Sequence, residues 1–234
     1  MFAETYFKEG AVLLIDKPLH WTSFQVVNKL RWAIRKAYNI KKIKVGHAGT
    51  LDPLATGLLI ICTGKMTKQI NTFQAQQKSY EGTITIGSTT PSYDLETEID
   101  NTFPTEHITP ELLEQARIQF EGTIQQKPPI FSAIKKDGKR LYEIAREGKT
   151  TSIESREVTI ESFKIDANEF PLVDFEVLCS KGTYIRSLAH DFGLALNSGA
   201  HLSRLRRTKI GDFDVAKAQS IDDFLNQLND SKTA

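Results

Sequence analysis

The chain is short of the features that would each have announced a class. In 234 residues it has two cysteines, Cys62 and Cys179, with no CxxC and no histidine beside them at ligand spacing. That excludes a disulfide scaffold and a cysteine-based zinc site, and it predicts a reducing, cytoplasmic setting. The apolar run Leu58 to Cys62 is as long as any, against the roughly 20 residues a membrane helix needs. Met1 to Gly10 hold two acids and one lysine before the short stretch Ala11 to Ile15, so no signal peptide is predicted. There is no GxGxxG, no GxSxG and no HExxH. Gly64-Lys65-Met66-Thr67 fails as a P-loop, because six residues follow Gly57 where four are needed and Met66 takes the hydroxyl position. No repeat and no low-complexity linker breaks the chain. At about 150 residues per domain, the length fits one large domain or two small ones.

One stretch also lacks acids. From Lys17 to Tyr80 there are eleven Lys/Arg and a single acid, Asp52, where the chain average would give about eight acids. The segment carries +10 and the rest of the chain −9. Such polarity on a near-neutral protein points to a polyanionic partner, or to a solvated basic face.

Strands and helices mix without regular βαβ alternation. Ala11–Asp16 reads as a buried strand. Thr22 with Gln25 fits a capping box ahead of a helix over Ser23–Tyr38. Ile43–Val45 reads as a brief strand, and Leu58–Thr63 as a buried strand or helical turn, which periodicity does not separate. Tyr80–Gly87 alternates as a strand, and Thr89–Pro104 reads as an acidic loop. Thr109-Pro110 starts a helix to about Phe120. Gln125–Gly138 reads as a loop, Leu141–Arg146 as a helix, Val158–Ile165 and Val173–Cys179 as strands. Thr183–Leu196 reads as a helix, Leu205–Ile210 as a strand, and Ser220–Leu228 as a closing helix. The predicted class is α+β, a mixed, mainly antiparallel sheet flanked by helices.

The least ordinary segment is Gly46 to Gly57, GHAGTLDPLATG, with three glycines, a histidine, an acid and a proline. Glycines let backbone approach a ligand, and Pro53 biases Asp52 towards extended backbone. A lone carboxylate in a basic field is held as the anion. That suits a nucleophile or an electrostatic stabiliser; an Asx turn buttressing the loop is the plainer reading. An ordinary glycosidase needs two carboxylates, and this region offers one.

GHAGTLDPLATGLL, preceded by DKP and TS at Asp16 to Ser23, resembles the TruB family of tRNA pseudouridine-55 synthases. In order, KSYEGTITIG (Lys78–Gly87), QKPPIFSAIKKDGKRLYEIAREG (Gln126–Gly148), CSKGTYIRSLAHDFG (Cys179–Gly193) and GAHLSRLRRTKIG (Gly199–Gly211) fit the same family, so the likeness runs over roughly residues 9 to 225. The resemblance implies a pseudouridine synthase fold and isomerisation of a T-loop uridine of tRNA, by base flipping and exchange of the C1′–N1 bond for C1′–C5. It implies no cofactor and no metal. Asp52 matches the essential aspartate, described as a nucleophile or as serving a glycal route. Tyr80 matches the tyrosine that stacks on the base and is a candidate for the C5 proton step. Arg186 matches the arginine that pairs with the aspartate. His47 matches a residue that splays the T-loop bases, Tyr184 and Leu205 match pocket walls, and Lys17 matches a lysine of more structural role.

His20 stands where the family's KPxGxTS pattern has glycine, and Ala48 where many members have threonine. Many members continue into a C-terminal RNA-binding PUA domain. The expectation here is one catalytic domain over 1–234 with no such extension, working as a monomer on the tRNA T-arm away from membranes. Two other readings compete. A non-catalytic tRNA-folding protein would have no use for the Asp52, Tyr80 and Arg186 set. An enzyme of free nucleosides would need no +10 segment.

Overall fold

A computed structural model describes residues 4–132, 134–136, 138–146 and 151–233. Glu147 and Gly148, which end the third family motif, lie outside the described residues, as do Met1 and Ala234. In chain order the main elements are α1 (Glu4–Glu9), β1 (Val12–Lys17), α2 (Ser23–Tyr38), β2 (Val45–His47), β3 (Ala55–Thr63), α3 (Ile70–Ala75) and β4 (Lys78–Ile86). There follow α4 (Pro110–Ile118), β5 (Gly122–Gln126), α5 (Leu141–Arg146), β6 (Arg156–Glu169), β7 (Leu172–Cys179), α6 (Ile185–Ala195), β8 (Ala200–Ile210), β9 (Phe213–Asp214) and α7 (Ile221–Thr233). Two short ribbons pair Ser88–Thr89 with Asn101–Thr102 and Lys135–Lys136 with Lys139–Arg140. The class is α+β with a mixed, mainly antiparallel sheet, as expected. Among the described residues no helix is long and apolar enough to cross a membrane.

By contacts the chain divides into two compact units, one of residues 1–80 and 205–234 and one of residues 81–204. In the first, β1 runs antiparallel to β3 from Val12↔Cys62 to Lys17↔Gly57, and β2 lies antiparallel to the end of β3. β8 lies parallel to the start of β3, with Leu205 opposite Ala55 and Arg207 opposite Gly57. Gly57 has φ +103, and a Cβ there would run into the Arg207 backbone, so glycine is required at this crossing.

Both faces of β3 are covered, which explains its unbroken apolar run. Leu59 and Ile61 pack with Val26, Leu30 and Ile34 of α2 and Phe224 and Leu228 of α7. Leu58, Ile60 and Cys62 pack with Ile210, Met66 and Phe73 on the other side. α2 starts where its capping box predicts: the Thr22 hydroxyl accepts from the Gln25 N–H at 3.1 Å, and the Gln25 amide oxygen accepts from the Thr22 N–H at 2.7 Å. Asn39 ends the helix in the left-handed region.

In the second unit the strand order is β8-β4-β7-β6-β5. β6 and β7 form a long antiparallel hairpin, and β5 pairs with the start of β6. Phe163, Phe175, Phe192 and Phe120 meet edge to face, with ring centroids 5.7 to 6.5 Å apart. α4 is capped by Thr109 with proline at its start, as read from the sequence.

Candidate active site

In the first unit the site is a short loop held at alternate residues. Asp52 sits half-buried between β2 and β3. Its carbonyl accepts from Ala55 at 3.1 Å, closing a turn with Pro53 in the position where its fixed φ fits. Three buried side chains from three elements hold the backbone on either side. Arg207 of β8, 1% exposed, donates from Nη2 to the Gly49 carbonyl at 3.2 Å and from Nε to the Leu58 carbonyl at 2.8 Å. Ser23 of α2, 2% exposed, accepts from the Leu51 N–H at 2.8 Å and donates to the Leu51 carbonyl at 3.1 Å. Lys17 of β1, fully buried, donates from Nζ to the Trp21 carbonyl at 2.6 Å and the Pro18 carbonyl at 3.0 Å, and reaches the Pro53 carbonyl at 3.5 Å. Positions 49, 51 and 53 are thus each tied down while Asp52 stands among them.

The loop after Pro18 joins the same framework. His20 has φ +66, the conformation glycine serves in the family pattern, and its N–H donates to the Pro53 carbonyl at 2.8 Å. The histidine therefore keeps the backbone geometry that glycine would give, at the cost of some strain. Asp16 takes a bidentate bond from Arg206, at 3.0 and 2.6 Å, joining β1 to β8.

The electrostatics follow from burial. Burial pushes the Lys17 ammonium down to about 8 from 10.5, with Asp52 opposing and Arg207 adding to the fall. Burial, and after it the Arg207 charge, lowers His47, with the Gly49 backbone partly opposing; the imidazole at the end of β2 is neutral at pH 7. Leu205 is 9% exposed and lies opposite Ala55, three residues past Asp52. Tyr80 is half-buried on β4.

The second unit holds the other two residues at the start of α6. Tyr184 is its N-cap residue. The fully buried Gln126 brackets the Tyr184 backbone, accepting from its N–H at 2.8 Å and donating to its carbonyl at 3.0 Å. The Arg156 guanidinium lies over the Tyr184 ring, 4.6 Å from the centroid. Arg186 is 3% exposed; its Nη1 donates to the Ser92 carbonyl at 3.1 Å and its Nη2 to the Phe131 carbonyl at 2.9 Å. Its Nε stands 3.6 Å from the Asp94 carboxylate, itself 4% exposed.

Ser23, Arg207, Gln126 and Asp94 were not singled out from the sequence. Ser23 and Arg207 carried a signal only as members of the family motifs; nothing in their spacing marks a clamp. Among the described residues no group of three or more His, Cys, Asp or Glu could hold a metal ion.

A family model described as TruB family pseudouridylate synthase (N terminal domain) matches residues 35–185. A second, described as tRNA pseudouridylate synthase B C-terminal domain, matches residues 186–233. The chain belongs to the TruB family of pseudouridine synthases. A protein named tRNA pseudouridine synthase B from Flavobacterium johnsoniae is 65% identical over 94% of this chain and 96% of its own length. Namesakes from Phocaeicola vulgatus and Chlorobaculum tepidum are 55% and 42% identical over 95% and 94% of this chain, and 95% and 92% of theirs. Among solved structures, a chain of a Cbf5-Nop10-Gar1 complex matches with TM-score 0.71 and 30% identity, over 95% of this chain and 55% of that one. A chain of an archaeal box H/ACA sRNP Nop10-Cbf5 complex matches with TM-score 0.68 and 25% identity, over 97% and 56%. This TruB-family chain therefore spans little more than half the length of those solved chains. Its fold is the one they share.

Proposed function

We propose that this TruB-family enzyme converts the uridine at position 55, in the T-loop of tRNA, to pseudouridine, acting as a monomer in the cytoplasm and with residues 1–234 as one catalytic domain. The observation that carries the reading is the loop at 49–53, whose lone carboxylate is held between three buried clamps in a segment of charge +10. Such preorganisation is what a group acting on one glycosidic carbon requires. The names of the relatives support tRNA as the substrate.

The reaction conserves atoms. The C1′–N1 bond breaks, the uracil turns, C1′ joins C5, C5 releases its proton and N1 gains one. Asp52 serves either as nucleophile at C1′ or as base for the C2′ proton of a glycal route. A base inside an RNA fold is unreachable until flipped. Tyr80 then provides a stacking surface that offsets about 1–3 kcal/mol of the lost stacking, and it is the candidate for the C5 proton step. Neutral His47 intrudes among the T-loop bases without adding a charge to the basic field. By the family pattern Leu205 and Tyr184 each take the place of a pocket-wall residue, a role that limits attack by water on the cleaved sugar. Family membership supports joining Arg186, of the second unit, to Asp52 and Tyr80, of the first, in one reaction.

The test is an unmodified tRNA transcript incubated with the enzyme, treated with carbodiimide and read by primer extension. A new stop at the T-loop uridine is expected. A stop elsewhere, or none, overturns the reading.

A further inference from the structure

The segment between β4 and α4 is far more built than its polar sequence suggests. Thr90 and Ser92 are 1% and 0% exposed, and both hydroxyls donate to the Asp94 carbonyl, at 2.6 and 3.0 Å. Between Ser92 and Asp94 stands Tyr93, with φ +64. A bulky aromatic residue rarely adopts that conformation, and its strain has to be offset by contacts elsewhere. The contact is on α6: the Tyr93 ring lies flat on the His190 imidazole, centroids 3.9 Å apart and planes within 8°. His190 is four residues after Arg186, one helical turn along the same face. Two parallel attachments thus tie this segment to α6. One is polar, from Arg186 to the Ser92 carbonyl and the Asp94 carboxylate; the other is the ring stack.

We propose that Tyr93 and His190 are positioning residues of the isomerase, and that their stack holds Ser92 and Asp94 against Arg186 and so fixes the guanidinium for the reaction. This rests on Arg186 being one of the reacting set. The stack is placed to do it. Among the described residues the buried imidazole Nδ1 finds no hydrogen-bond partner, so none of them anchors the ring through that nitrogen. The Tyr93 carbonyl accepts from the Leu202 N–H at 2.9 Å, pinning the strained residue to β8 from behind. Burial lowers the His190 imidazole and keeps it neutral at pH 7, which avoids placing a second cation one turn from Arg186. Without the ring contact, Tyr93 loses the partner that offsets its backbone strain, and the neighbouring Ser92 and Asp94 are the first groups to move.

The experiment compares single-turnover rate, tRNA dissociation constant and Tm for Tyr93→Leu, Tyr93→Phe, His190→Leu and His190→Phe, each also in an Arg186→Met background. Each Leu variant is expected to lose roughly tenfold in rate, about 1.4 kcal/mol of activation free energy. Its tRNA affinity should stay within about threefold, and each Phe variant, which keeps an aromatic face, should stay within about threefold in rate. The Tyr93→Leu/His190→Leu double variant should be no slower than either single one, because both remove the same contact. In the Arg186→Met background the Leu changes should cost nothing more. Leu variants as fast as wild type overturn the proposal. So do Phe variants as slow as the Leu ones, or a full Leu penalty retained without Arg186. An Arg186→Met enzyme that works at the wild-type rate overturns instead the assignment of Arg186, and with it the proposed set.

Discussion

Replacing Ser23 with alanine probes the clamp where it is most local to Asp52. The hydroxyl satisfies both the N–H and the carbonyl of Leu51, at 2.8 and 3.1 Å, with both residues almost wholly buried. In Ser23→Ala both backbone groups face a methyl. An unmet buried polar group costs about 1–3 kcal/mol. With partial relaxation of a loop still tied at Gly49 and Pro53, a net loss of about 2 kcal/mol follows, within the 5–15 kcal/mol of an ordinary protein. For a chain of this size that lowers Tm by about 4–8 °C. The chemical effect should be larger than the thermal one. Asp52 is the next residue, and a displacement of about 1 Å in a reacting group costs on the order of 100-fold. The expected result is a 10- to 100-fold fall in kcat with KM for tRNA within about threefold, measured as tritium released from C5-labelled transcript. A variant with wild-type Tm and wild-type kcat refutes the clamp. A variant that keeps kcat and loses only KM places Ser23 in RNA binding instead.

Lys17 gives a pH signature. Its folded value of about 8 lies below the ordinary 10.5, so the unfolded chain holds the proton more tightly and stability should rise with pH from about 8 to 10.5. Lys17→Met should flatten that rise in urea unfolding at several pH values; parallel curves for the two proteins would remove Lys17 as its source. The exposed face of α2 gives a salt signature. Trp32 is 57% exposed, with the Lys36 and Lys29 ammoniums 4.9 and 5.9 Å from its ring centroid. Changing Lys29 and Lys36 of this face, and Lys41 just past the helix, to alanine should reduce the slope of log K against log salt for tRNA by roughly 2–3. An unchanged slope would place this face away from the RNA.

What could be read in advance followed local physics. α2 was legible to the residue because Thr22, Gln25 and the apolar spacing all act within one helix. The run Leu58–Thr63 was ambiguous because its two covered faces become visible only once α2, α7 and β8 are in place. The strand β8 begins at Ala200 rather than Leu205, and β6 extends from Arg156 to Glu169 on both sides of the stretch read from sequence. Charged residues on an open strand face hide its ends. The segment 89–104 reads as a polar, acidic loop, and its sequence gives no sign that Thr90, Ser92 and Asp94 are buried, which they are because their polar groups satisfy one another and Arg186. The same blindness hid Ser23 and Arg207. A hydroxyl or guanidinium that serves a backbone carbonyl leaves no spacing rule behind, since its partner is not a side chain. Asp52 was legible for the opposite reason: it is the one acid in a long basic segment.

Under the proposed reaction Asp52 does the chemistry and the loop around it only holds it. The most direct measurement is single-turnover conversion of a tRNA transcript by Asp52→Asn at saturating enzyme, with filter binding on the same preparation. The expected result is no detectable conversion with a tRNA affinity within about tenfold of wild type, a difference under roughly 1.4 kcal/mol. Conversion at even a tenth of the wild-type rate would contradict it.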